Sequence, residues 1–98
     1  MDLLITVTWR SWASPAQNKA AAQVVHDRLI DPYPGVTIVN SVADLGKRKL
    51  YVIADVSEAA MQDIRNTLEL TTQPAIESVE TSFVVNGKKA INTYLKMG

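Results

Sequence analysis

Trp9-Arg10-Ser11-Trp12 is the segment best equipped to hold a ligand. Two indoles flanking a guanidinium stack on a planar molecule, and the guanidinium pins a carboxylate through paired N–H donors. The same residues have a packing use, in which Trp9 completes an apolar strand face and Trp12 plugs the loop before a helix. Asp55 stands where a strand hands over to a helix, so it serves the helix dipole or acts as a base. The single histidine, His26, would be a general base if Asp27 or Asp31 oriented it. Adjacent residues do not face each other on a helix and no nucleophile stands near, so a structural histidine is expected.

Much chemistry is excluded by composition. With one histidine and no cysteine, neither a transition-metal site nor thiol chemistry is expected. The acids are scattered and make no calcium loop, and four glycines are too sparse for a phosphate or dinucleotide loop. No cofactor is expected. Lys+Arg and Asp+Glu number 10 each, and a neutral chain lacks the electrostatic footprint of a nucleic-acid binder. The basic clusters Lys47-Arg48-Lys49 and Lys88-Lys89 read as solvated tips. No apolar run approaches membrane-spanning length, and Asp2 with Thr6 and Thr8 spoils a signal peptide. Absence of cysteine fits a reducing compartment, so a cytoplasmic protein with no nucleic-acid or membrane partner is expected.

The 98 residues fit one domain, 1–98. Leu3, Ile5, Val7 and Trp9 alternate with Leu4, Thr6, Thr8 and Arg10, the period of a strand with one buried face. Ser14-Pro15-Ala16-Gln17 is a capping box with proline at the first helical position. Ala21, Val24, Val25 and Leu29 follow at helical spacing, with Ile30 closing the run. The stripe passes through Ala22, Val25 and Leu29 with His26 at its edge or outside it, and Asp31-Pro32-Tyr33-Pro34-Gly35 stops the helix. Val36–Val42 and Leu50–Val56 read as strands joined by a turn around Asp44–Arg48. Ser57 caps a second helix, roughly 58–70, with Met61, Ile64 and Leu68 as its stripe, and Ile76–Val85 is a fourth strand. The tail has two readings. Asn86-Gly87 suits a type I′ hairpin, but Ala90, Ile91, Tyr94 and Leu95 form a helical stripe behind Asn86 as N-cap, and a short C-terminal helix packed on a sheet is favoured.

The order β-α-β-β-α-β with right-handed crossovers places both helices on one face of a four-stranded antiparallel sheet. This is an α+β, ferredoxin-like arrangement. Alternation turns Leu4, Thr6, Thr8, Val39, Tyr51 and Ile53 to the other face. A face with several adjacent branched and aromatic side chains is poorly suited to water, and a two-fold pairing with a second copy covers it. A homodimer is therefore expected, with Leu4, Thr6, Val39, Tyr51 and Ile53 at its interface, and a small molecule or another protein as further partner. One sheet aromatic does not make an RNA-stacking platform.

The element order and the half-apolar face of Leu4, Val39, Tyr51 and Ile53 resemble the broad dimeric α+β barrel group. The resemblance implies two ferredoxin-like subunits packed sheet to sheet, as in small isomerases and monooxygenases of that architecture. The leading functional expectation is a homodimeric interaction or small-ligand-binding domain, with Arg10, Trp12, Tyr51 and Asp55 as ligand-binding candidates. The alternative is a small cofactor-free enzyme with a site between the sheets, using Arg10 and Tyr51 as polar groups and Asp55 as base. No catalytic residue is assigned.

Overall fold

The four expected strands pair as the alternation requires. The computed structural model describes residues 2–30, 34–62 and 69–97, the side chains of Ile30, Met61 and Gln62 excepted. Strands β1 (Asp2–Trp9), β2 (Val36–Asp44), β3 (Lys49–Val56) and β4 (Ile76–Phe83) form one sheet in the order β2-β3-β1-β4. Every neighbouring pair is antiparallel. Helix α1 (Pro15–Val25) fills the first crossover. Its capping box is formed, Gln17 N donating to Ser14 Oγ at 3.2 Å and Ser14 N to Gln17 Oε1 at 3.0 Å. Past Val25 the coil widens into a π-helical segment, His26–Ile30. Helix α2 (Glu58–Gln62) begins with Ala60 N donating to Ser57 Oγ at 3.2 Å, and residues 69–71 are again helical. The stripe of Met61, Ile64 and Leu68 and the helix stop at Asp31–Tyr33 fall outside the described side chains.

One face of the sheet carries the core. Ile5, Val7, Val52, Ala54 and Val56 lie buried beneath Ala21, Val25, Leu29, Ala60 and Leu70. Ala22, expected within the α1 stripe with Val25 and Leu29, is exposed, and Ala21 takes the buried position. Arg28 ties the end of the first crossover to the second, donating to both carboxylate oxygens of Glu69 at 2.7 Å. This is the bidentate geometry that makes arginine–carboxylate pairs directional.

The tail is helical. Helix α3 (Gly87–Lys96) starts with Asn86 Oδ1 accepting from Lys89 N at 3.1 Å, so the N-cap reading prevails over the hairpin. Ile91, Tyr94 and Leu95 are expected to pack on the chain's own sheet or on a partner's, and the first of these is overturned. They are 60%, 71% and 77% exposed, and α3 buries no residue. Val84 N still donates to Asp2 O at 3.1 Å, holding the chain along β4 until three residues before the helix. Helix α3 leaves from the end of the sheet and buries no residue against it.

Candidate functional site

The face opposite the helices is defined by register. Leu4 stands between Ile53 and Ser82, Thr6 between Tyr51 and Glu80, and Thr8 between Lys49 and Ser78. On the outer side of β3, Asn40 faces Ile53 and Val42 faces Tyr51. The middle of this face is thus apolar, built from Leu4, Ile53, Tyr51 and Val42. Val39 is the unpaired residue of a bulge between Ile38 and Asn40, and it is exposed. The bulge shifts the alternation by one, so Val42 pairs across from Tyr51 and joins the open face. Strict period two from Val36 turns Val42 to the core instead, and no residue type in Val36–Asp44 marks the insertion.

Acids gather at one end of this face and beside it. Asp2 lies directly opposite Asp55, and Glu80 opposite Thr6. Like charges facing each other across a strand pair oppose the pairing. Ser57, rather than Asp55, supplies the oxygen that caps α2.

The other sequence candidates lie elsewhere. Arg10 follows β1 beyond Thr8, whereas Asp55 is level with Asp2, so the two are separated by the length of the strand, roughly 25 Å. Tyr51 lies between them, and the three do not meet in one site. Trp12 is not a buried plug: it is 65% exposed, with the Arg10 guanidinium 5.5 Å from its ring centroid. Arg10 Nε also donates to the Ile76 carbonyl at 3.3 Å. His26 corrects a geometric expectation, because its Nδ1 lies 3.2 Å from Oδ1 of the adjacent Asp27. The two side chains thus meet at the start of the π-helical segment, although they are adjacent in the chain. Hydrogen bonds from His26 and then Gln23 hold the Asp27 carboxyl below its ordinary value of 3.8. Both members of the pair are exposed, and no nucleophile stands beside them. Among the described residues no three His, Cys, Asp or Glu side chains converge as metal ligands, and no helix is long and apolar enough to cross a membrane.

Sheet order, crossover arrangement and open face define a small ferredoxin-like α+β domain. No family model and no curated protein matches the sequence. Among solved structures it is similar to the chemotaxis kinase CheA P2 domain, solved in complex with the response regulator CheY, from Thermotoga maritima. That match has a TM-score of 0.53 at 10% identity, covering 85% of this chain and 96% of the other. A second similarity is to the C-terminal domain of the MgtC protein from Mycobacterium tuberculosis, with a TM-score of 0.44 at 16% identity over 83% and 84% of the two chains.

Proposed function

We propose that this domain is a protein-interaction module whose working surface is the open sheet face and whose partner there is a second copy of the chain. The observation that carries the reading is the pairing of two uncovered apolar surfaces in one small molecule. Leu4, Ile53, Tyr51 and Val42 form the middle of the face, and Ile91, Tyr94 and Leu95 form a stripe on the unpacked α3. The CheA P2 domain, a small α+β domain of similar fold, is likewise found in complex with another protein, CheY. In the dimer the two open faces turn toward each other, as in the dimeric α+β barrel group, and each α3 lies against its partner.

Each fully buried aliphatic or aromatic side chain contributes about 1.5–3 kcal/mol. Association costs about 4–15 kcal/mol, so several such residues from each copy are needed. The four residues of the face and the three of the helix stripe meet that requirement. Ile53→Lys places a charge in the middle of the face and beside its symmetry mate. Sedimentation equilibrium is expected to show a dimeric parent and a folded variant that is monomeric or associates far more weakly. A variant that sediments like a dimeric parent, or a parent that is monomeric at high concentration, overturns the reading.

A further inference from the structure

On the helix side of the sheet, at the end remote from α3, the first turn of α1 and the β2–β3 hairpin stand apart. A cleft of about 360 Å³ opens between them. Its apolar wall is sheet surface that no helix covers, namely Trp9 and Leu50, with Leu45 standing at the lip, 87% exposed. Arg10, Arg48 and Lys49 line it too, and the acid in the lining, Asp44, already accepts from Lys47 N at 3.2 Å. Small-molecule sites are concave, mostly apolar and a few hundred Å³ in volume, with a few placed polar groups to fix orientation.

We propose that this cleft binds a small carboxylic acid with an apolar, flat body. The indole of Trp9 and the side chain of Leu50 provide the surface for that body, and the two guanidinium groups provide paired donors for the carboxylate. Arg10 is pre-positioned for this. Its Nε is held by the Ile76 carbonyl and its guanidinium lies over Trp12, which leaves the two terminal amino groups to a ligand. Arg48 carries a second sign of a built site. Its φ of 54° lies in the left-handed region, where glycine or asparagine sits at lower cost, yet the position holds a long cation directed at the cleft. The site lies on the opposite side of the sheet from the proposed dimer surface and stands independently of it.

The test is a two-dimensional amide NMR titration with 2-naphthoate and, as its uncharged counterpart, 2-naphthamide. Naphthoate is expected to move the signals of Trp9, Leu45, Arg48 and Leu50. Naphthamide should bind at least about tenfold more weakly, the factor one charge-assisted hydrogen bond supplies. Arg48→Gly removes the cation while easing the backbone, so the variant should fold at least as stably as the parent. It should lose most of the preference for naphthoate over naphthamide, Arg10 and Lys49 keeping the rest, with naphthamide affinity unchanged. Equal binding of acid and amide, shifts centred on Tyr51 and Ile53, no response to naphthoate, or an Arg48→Gly variant that keeps the parent's full preference for the acid each overturns the proposal.

Discussion

At the scale of single residues, solvent exposure does not leave Asp27 without influence on folding. Its carboxylate accepts from His26 and Gln23, contacts that stabilise the charged form and hold its folded pKa below 3.8. A carboxyl with a lowered folded value adds stability that is complete above its unfolded pKa, about 3.9, and is lost as pH falls through the folded value. Asp27→Asn should therefore melt below the parent at neutral pH, and the two melting curves should converge on acidification below about pH 4. A difference that stays constant from pH 7 to pH 2 would show that the carboxylate is not held in the folded state. The residue types were plain in the sequence but not their meeting, since adjacent helical residues are expected to point apart and the π segment has no signature in His26–Ile30. Trp9 and Arg10 stood out in the sequence through residue type alone. What spacing could not disclose is that Trp12 faces solvent under Arg10, because a loop has no period from which to read a side chain's direction.

At the scale of elements, β1, α1, β3 and the α3 cap were readable because alternation, capping chemistry and apolar spacing act locally and agree with one another. The bulge at Val39 and the free projection of α3 were not, since each depends on what lies across the sheet or at the end of a linker. Gly35 shows a local rule serving a tertiary contact. Its φ of +82° is left-handed, its carbonyl accepts from Ser57 N at 2.8 Å, and a Cβ there would fall on Ser57 Oγ. That hydroxyl caps α2, so the turn before β2 and the start of α2 fit together only around a glycine. Gly35→Ala is expected to cost about 2 kcal/mol in urea unfolding, from the backbone conformation and the displaced cap together. A loss near zero would mean that the Ser57 hydroxyl turns aside without consequence and that the fit is not required.

At the scale of the whole molecule, the structure is elongated, with extents of 53 × 32 × 17 Å, and its two uncovered apolar surfaces carry opposite charge. Helix α3 holds Lys88, Lys89 and Lys96 and no acid, whereas the open face holds Asp2, Asp55 and Glu80. Asp2 and Asp55 face each other as like charges, and the lysines of a partner's α3 would meet this end of the face with opposite charge. If α3 lies on the open face of a second copy, reversing either set of charges should weaken the dimer, and reversing both in separate chains should restore it. The triple variant Lys88→Glu, Lys89→Glu, Lys96→Glu then dissociates on its own, as does Asp2→Lys, Asp55→Lys, Glu80→Lys. Mixed in equal amounts they form a one-to-one heterodimer, because each helix again meets a face of opposite sign. Raising salt should weaken parent and heterodimer alike, since these charges are exposed. Attraction between oppositely charged chains is separated from docking by replacing Ile91 and Leu95 with serine in the helix variant, which removes the apolar stripe and leaves every charge. Sedimentation of the mixture should then show a much weaker heterodimer, held by the sheet faces alone; one as tight as before would mean that α3 does not seat on the partner.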